Sequence, residues 1–396
     1  MKTIHFIEEP VRPAAARWAL WELGFRPFYL LASAFAALSV GLWALQLGGH
    51  LALPYLAGPL WHAHEMLFGF TLAVIVGFLF TAGRNWTGRP TPTGPLLAGL
   101  AALWLAARVL VLTPYGWAAA LANVAFPLAC AIALAVPFAA ARNRRNYFFI
   151  VLLVGLAGAA LMIHLAHLGV TALPGWAGVQ LALDVVLFIL AVMGGRVIPM
   201  FTNNGVPGAG ARRIEWLERL ALSGVLAVLA VDAFPVPALA GALVFALAGI
   251  AHAARWAAWK PWRTRRQPLV WVLHLGYAWI PLHLLLRALA ATGAVAPSLA
   301  THALTVGAVG GLVIGMMTRT ARGHTGRPLR ADAWDVTAYA CIAAAAAVRI
   351  AVPWAWPAQL LPAVAASALL WSGGFAVYFV RYWPVLTRAR LDGQPG

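Results

Sequence analysis

Residues 61–90 read WHAHEMLFGFTLAVIVGFLFTAGRNWTGRP. Two histidines and a glutamate open this stretch, eighteen uncharged residues follow at 66–83, and arginines lie near its end. A helix needs about 20 mostly apolar residues to cross the hydrocarbon layer of a membrane. We therefore predict a transmembrane helix here, with its histidines at one boundary and its arginines at the other.

Apolar stretches of this kind recur from one end of the chain to the other. The 396 residues are 63% hydrophobic and 10% charged, with a mean hydropathy of +0.82, whereas soluble domains carry about 25% charged residues. We predict an all-α integral membrane protein of about twelve transmembrane helices. The predicted spans lie near 28–47, 61–82, 95–112, 117–139, 147–168, 178–198, 216–231, 237–257, 268–290, 298–318, 334–352 and 357–380.

The basic residues follow an alternating pattern. The net charge of +17 is also typical of nucleic-acid-binding proteins, so the placement of the charges has to distinguish the two classes. Lys and Arg gather in every second loop, as at Arg142, Arg144 and Arg145, and the loops between hold none. This is the positive-inside pattern of membrane proteins. It predicts cytoplasmic termini and contact with anionic lipids, and it excludes a nucleic-acid partner.

Two segments of the chain match each other without a gap, at 64–90 and 302–328, which lie 238 positions apart. Glycines recur in membrane helices for packing reasons alone, which explains part of the match. A shared histidine at one end and a shared Thr-Gly-Arg-Pro at the other are more specific. The coincident positions are His64 with His302, Gly69 with Gly307, Gly77 with Gly315, Arg84 with Arg322, and 87–90 with 325–328.

This match predicts that spans one to four and nine to twelve are parallel copies of a four-helix unit. Spans five to eight would then be a third copy, although the end of span six only loosely resembles the end of span two. The predicted parts are a cytoplasmic segment at 1–26, a single transmembrane domain at 27–380 with repeats near 27–139, 147–257 and 268–380, and a cytoplasmic tail at 381–396.

Ionisable side chains in the predicted spans collect at one depth. Such groups are costly inside a membrane unless they pair, bind a ligand or reach water. Imidazoles on opposing helices suit haem iron or copper, and the alternative is that they hydrogen-bond to lipid head groups and loop carbonyls at the interface. The layer comprises His62, His64 and Glu65 in span two, His164 and His167 in span five, Asp184 in span six, His283 and Arg287 in span nine, and His302 in span ten.

The spacing of these histidines limits how they can act together. His62 and His64 are two apart and point to different sides of a regular helix. If both are ligands, either the span begins after them or they serve different centres. His164 and His167 lie one turn apart on a shared face.

Other residues set the type of cofactor that is expected. Arg108, Arg287 and Arg349 lie near outer span ends, where snorkelling explains them and haem propionates are the functional alternative. The only cysteines, Cys130 and Cys341, lie inside spans in no metal or redox spacing, so they are assigned to packing. The sequence has no c-type haem motif, and a haem would be of the b type.

With these residues in view, the chain resembles the NnrS family of bacterial inner-membrane proteins of the nitric oxide response. The resemblance covers nearly all of the chain. It implies a haem- and copper-containing membrane protein that protects cells against nitrosative stress. The most specific matching pieces are LGFRPF at 23–28, residues 61–90, GRVIPMFT at 195–202, and residues 302–328.

A second analogy rests on position alone. Haem-copper oxidases also have a twelve-helix subunit with four-helix pseudo-repeats and haem ligands on helices two and ten, and His64 and His302 occupy comparable places here. Spans six and seven carry no outer-half histidine, although those oxidases hold their copper there. Copper in this chain would need another set, such as His164 with His167 or His62 with His283.

We predict His64 and His302 as the axial ligands of a haem, because the repeat pairs them. The remaining outer histidines and Glu65 are predicted copper ligands or partners that orient the imidazoles. Arg108 and Arg287 are predicted partners of the haem propionates.

The predicted function is to bind or convert nitric oxide or a related nitrogen oxide at a metal centre near the periplasmic face. As an oxidoreductase, the protein would take electrons from a quinone or a separate donor, because the sequence contains no soluble cofactor domain. One alternative is a transporter or metal-handling permease with its site near the midplane. A further alternative is a haem sensor without turnover, and the sequence does not set an oligomeric state.

Overall fold

The computed structural model describes residues 17–393. Residues 1–16 of the predicted N-terminal segment and residues 394–396 of the predicted tail lie outside the described residues. Between 17 and 393 the chain is helical with no β-strand, apart from a single isolated bridge between Trp18 and Arg388. The all-α prediction is confirmed.

Within residues 17–393, twelve long helices follow one another at the places of the predicted spans. Proline stands in the first turn of α2, α3, α9 and α10, where a missing backbone N–H costs nothing. The helices are α1 Phe25–Leu47, α2 Gly58–Thr87, α3 Gly94–Leu110, α4 Gly116–Ala140, α5 Phe148–His167, α6 Gly175–Gly205, α7 Glu215–Ala233, α8 Ala238–Ala258, α9 Pro268–Ala291, α10 Pro297–His324, α11 Ala333–Ala355 and α12 Leu360–Thr387.

Ten helices of the described chain are long and apolar enough to cross a membrane, so the chain is a multi-pass membrane protein. The other two are α3, which has 17 residues, and α7, which carries Glu215, Glu218, Arg219 and Asp232. The predicted number of about twelve is consistent with this architecture.

Four helices extend at least five residues beyond the predicted ends of their spans. α2 continues to Thr87, α6 to Gly205, α10 to His324 and α12 to Thr387. Hydropathy marks only the part of a helix that lies in hydrocarbon, and polar helix ends project past it. The first residues of the predicted tail therefore belong to α12.

The helices differ in how much of their surface the protein covers. Of the apolar stretch of α2, 83% is buried, and the value is 67% for both α6 and α10 but only 33% for α11 and α12. Exposed apolar side chains such as Leu121 and Leu369 lie on the outer helices, as expected for surfaces that face lipid tails. The central helices α2, α6 and α10 thus hold the positions best suited to a buried site.

The two matching segments also share an unusual backbone feature. α2 contains a π-helical stretch at Glu65–Thr71, and α10 contains one at Ala303–Gly310. Each begins immediately after the histidine that the sequence match aligns, His64 or His302. Stretches of this kind are rare and are frequent at functional sites.

Glycines at matching positions let neighbouring helices approach closely. A methyl group on Gly69 would collide with the ring of Phe35 on α1, and one on Gly307 would collide with the ring of Trp279 on α9. α1 therefore packs on α2, and α9 packs on α10, at glycines that occupy matching positions of the two aligned segments.

Contacts between successive groups of four helices follow one scheme. α4 packs against α5, α8 packs against α9, and α12 packs against α1. The last helix of each group thus contacts the first helix of the next, and the arrangement closes on itself. The division into three sequence repeats stays a prediction.

Candidate functional site

A cavity of about 500 Å³ lies between α1, α2, α6, α10, α11 and α12. We call it the central cavity. Most of its walls are apolar, and its ionisable residues are His62 on α2, His302 on α10 and Arg349 on α11. A cavity of this size and polarity is within the range of about 300–1,000 Å³ that small molecules and cofactors occupy in proteins.

The two histidines of the central cavity are held in defined orientations. The ring of His62 stacks on Trp43, with 5.0 Å between ring centroids and 19° between planes. His302 donates from Nδ1 to the backbone carbonyl of Ser298 at 2.7 Å. A carbonyl can only accept, so the neutral His302 ring keeps its Nε2 lone pair free for a ligand.

Two nitrogen atoms around this cavity lack partners. Nδ1 of His62 and Nη1 of Arg349 are buried without a hydrogen bond. Buried polar groups are nearly always paired in proteins, and an unpaired one often marks a functional site. A charged guanidinium beside apolar walls would pair well with a carboxylate from a bound molecule.

His64 faces away from the central cavity and contacts a different helix. Its ring lies edge-to-face with the ring of His164 on α5, with centroids 4.9 Å apart. Both side chains are fully buried. We refer to these two residues as the His64–His164 pair.

A chain of polar groups supports His64. Its Nδ1 lies 2.7 Å from Oε1 of Glu65, and the same oxygen accepts from Nη1 of Arg108 at 2.5 Å. Arg108 also donates to the side-chain oxygen of Asn123. The buried carboxylate is thereby neutralised by a cation and fixes the Nδ1 proton of His64.

His164 has its own support from the loop before α2. The hydroxyl of Tyr55 lies 2.9 Å from Nδ1 of His164. The Nε2 atoms of both His164 and His64 are buried without a partner. His167, one turn further along α5, is exposed and contacts only the edge of the Tyr55 ring among the described aromatic contacts.

The remaining predicted residues lie in a third cluster on α6, α7 and α9. Arg287 forms a bidentate pair with Asp232 and lies 4.0 Å from Asp184. His283 donates from Nδ1 to the carbonyl of Ala300 at 2.7 Å. Neither Arg287 nor His283 lines the central cavity.

The structure therefore groups the predicted residues differently from the sequence expectation. His64 and His302 do not share a site, because His64 contacts His164 and His302 faces the cavity with His62. Side chains two positions apart on a regular helix point about 200° away from each other, because each residue turns the helix by about 100°. Only one of His62 and His64 can therefore face the cavity. His164 and His167 both contact the ring of Tyr55, but His164 is buried and His167 is exposed. His283 does not line the cavity that His62 faces.

The predicted propionate partners are also engaged elsewhere. Arg108 is bonded to Glu65 and Arg287 to Asp232, and neither lines the central cavity. Arg349, also expected near an outer span end, is the arginine that lines this cavity. Tyr55 and Asn123 were missed, and no sequence signal marks a loop tyrosine or a helix asparagine as a partner of a buried histidine.

No group of three or more His, Cys, Asp or Glu side chains in the described part of the chain is arranged to hold a metal ion. The candidate ligands thus form two separate sets of two histidines. One set opens onto a large cavity, and the other is closed.

Comparison with known proteins places nearly the whole chain in one family. No curated protein matches the sequence. The family model described as NnrS protein matches residues 19–390, which include every helix of the structure. The chain belongs to the NnrS family, and this membership suggests a membrane protein of the nitric oxide response.

Proposed function

We propose that this protein is a membrane haem protein that binds or converts nitric oxide or a related nitrogen oxide, with a b-type haem in the central cavity. One observation carries the proposal: His62 and His302, from two central helices, open onto the same apolar cavity beside Arg349. In this proposal His62 and His302 are the two residues that would hold the haem iron.

The residues that line the cavity fit a haem. Imidazole nitrogens are common axial ligands of haem iron, and His302 keeps its Nε2 lone pair free. The unpaired guanidinium of Arg349 suits a propionate carboxylate. The apolar walls suit the porphyrin ring. Neither free cysteine lines the cavity, which agrees with a haem that is not attached covalently.

The chain's own residues would orient the cofactor and exclude water. Haem iron held by these two imidazoles would supply a means of electron exchange, and it would bind a diatomic ligand in place of one of them. Trp43 restrains the ring of His62, and the Ser298 carbonyl restrains the ring of His302. The apolar lining admits a small uncharged gas such as nitric oxide more readily than it admits ions.

The alternating basic loops support a bacterial inner-membrane location with cytoplasmic termini, and this arrangement would put the histidines near the periplasmic side. A quinone or a separate protein would supply electrons. A role as an oxidoreductase and a role as a haem sensor share this site, and single-turnover assays with nitric oxide would separate them.

The test is an optical spectrum of the protein purified in detergent, recorded before and after addition of nitric oxide. We expect a haem Soret band that shifts with nitric oxide. His62→Ala and His302→Ala should each lose the band, whereas His167→Ala, an exposed histidine on α5, should keep it. A full-strength band in both cavity variants would contradict the proposal.

A further inference from the structure

A second, smaller cavity of about 80 Å³ lies between α1, α2, α6, α9 and α10. We call it the inner cavity, and among the described residues it shares no lining residue with the central cavity. We infer that the inner cavity is a binding site for a small uncharged gas molecule, which exchanges with the central cavity. Gas binding does not depend on a haem, whereas the use of the gas rests on the proposed function.

The inner cavity continues the line of the central cavity along three helices. Each of α2, α6 and α10 presents one stripe of residues that lines first the central cavity and then the inner cavity. The last residues at the central cavity are Thr71, Val186 and Val309, and the first at the inner cavity are Val74, Ile189 and Leu312. On all three helices the step is three residues, which is about 4.5 Å of helix rise.

The six described residues that border this step offer no free polar group. Five of them are aliphatic, and the sixth is Thr71. The hydroxyl of Thr71 donates to the backbone carbonyl of Met66 at 2.7 Å, so its hydrogen bond is already made. An uncharged molecule that passes between the two cavities would therefore displace only apolar groups, and it would break no ion pair.

The walls of the inner cavity select its occupant. Among the described residues that line it, all side chains are apolar except that of Tyr29, and none is charged. A buried water molecule needs roughly two to four polar partners, and an ion is costlier still without them, so neither suits these walls.

The volume of the inner cavity limits the occupant further. An engineered protein cavity of about 150 Å³ with walls of Leu, Ile and Phe stays dry and binds xenon or benzene. The inner cavity has about half that volume, which suits a xenon atom or a diatomic gas and is too small for a lipid acyl chain.

The inner cavity also lies at a depth where such a gas collects. On α2 its lining residues lie between Val74 and Leu79, within the uncharged stretch at 66–83 that crosses the membrane. Apolar molecules are more soluble in hydrocarbon than in water. The surrounding bilayer therefore holds the gas at a higher concentration than the aqueous phase does.

The first experiment is a crystal structure of the full-length protein under xenon pressure, in which anomalous scattering locates the xenon. We expect a xenon atom in the inner cavity of wild type. Val313→Phe places a ring in this cavity and should lose the xenon. Val151→Phe makes the same substitution on α5, where Val151 is 67% exposed, and should keep it.

A smaller substitution guards against a variant that does not fold, because extra volume in a packed interior is destabilising. Val74→Leu adds a single methylene group to the wall that α2 contributes. It should lower the xenon occupancy of the inner cavity without abolishing it.

The second experiment tests the exchange with the central cavity. Nitric oxide bound to the reduced protein is released by a laser flash, and its return is followed optically. Gas held in the inner cavity returns without leaving the protein, so wild type should show a slow phase whose rate does not depend on the concentration of nitric oxide. Val313→Phe should lose this phase, and Val151→Phe should keep it.

The inference is overturned if the inner cavity of wild type holds no xenon, or if Val313→Phe keeps the slow phase of wild type. Xenon binding requires no metal. Xenon in the inner cavity of a protein purified without haem would therefore contradict the proposed function and leave the gas site supported.

Discussion

At the scale of single residues, the central cavity combines two restrained imidazoles with one unpaired cation. His62 stacks on Trp43, His302 is fixed by a backbone carbonyl, and Arg349 has a buried Nη1 atom without a partner. Such groups are expensive at membrane depth, so their shared position on an apolar cavity supports the bound cofactor that we propose. A cofactor with nitrogen-binding metal and carboxylates would satisfy all three.

Arg349→Gln should weaken haem retention roughly 10- to 100-fold, because a buried charge-assisted hydrogen bond to a carboxylate contributes about 1.5–3 kcal/mol. The measurement is haem transfer to apomyoglobin from purified protein. Arg330→Gln, at an exposed arginine, is the control and should behave like wild type. Unchanged haem retention in Arg349→Gln would show that the guanidinium does not contact the cofactor.

At the scale of elements, a glycine on α6 makes room for a buried ion pair between α7 and α8. Arg255 on α8 donates to both carboxylate oxygens of Glu218 on α7, at 2.9 Å each, and to the carbonyl of Ala191. Gly195 on α6 provides the space, since a methyl group there would collide with both charged side chains. The Gly195 position of the sequence motif at 195–202 thus has a packing explanation.

Gly195→Ala should lower the free energy of unfolding by about 3–5 kcal/mol, the usual cost of disrupting a buried ion pair. Gly99→Ala is a matched control, because Gly99 also lies in a helix but its added methyl would meet nothing within 4 Å. It should be neutral or stabilise by up to about 1 kcal/mol. Thermal unfolding in one detergent measures both, and equal midpoints would contradict the packing argument.

The sequence predicted the positions of the helices better than it predicted which face each helix turns to its neighbours. Apolar length alone located the twelve helices, since membrane spans have a nearly fixed length. It did not show that His62, rather than His64, would share a cavity with His302, because packing between helices decides which face each helix turns to a neighbour. Tyr55 lies in a loop, and its contact with His164 depends on tertiary structure alone.

At the scale of the whole molecule, α12 returns to α1 and brings the two ends of the described chain together. Trp18 and Arg388 form a β-bridge, and the fully buried Arg26 donates to the carbonyls of Leu386 and Arg388 at 3.0 and 2.7 Å. The ends therefore lie on the same face of the protein. An even number of membrane crossings agrees with this.

Arg26→Ala should destabilise the fold by about 3 kcal/mol, because two hydrogen bonds from a buried charged donor are lost. The check is the thermal unfolding midpoint, with the exposed Arg89→Ala as control. Equal midpoints for the two variants would show that the closure of α12 on α1 does not depend on Arg26.

The basic loops predict that both ends face the cytoplasm. Green fluorescent protein fused after residue 396 should fluoresce, and alkaline phosphatase fused after residue 50, in the loop between α1 and α2, should be active. Inactive phosphatase at residue 50 together with a non-fluorescent C-terminal fusion would show that the orientation is the opposite of the predicted one.

The haem content of His62→Gln and His64→Gln, purified side by side, tests the central claim most directly. The two substitutions are chemically identical and lie two residues apart on α2, but only His62 lines the central cavity. We expect His62→Gln to lack the Soret band and His64→Gln to have the haem content of wild type. A band retained in His62→Gln and lost in His64→Gln would contradict the assignment of the haem to the central cavity.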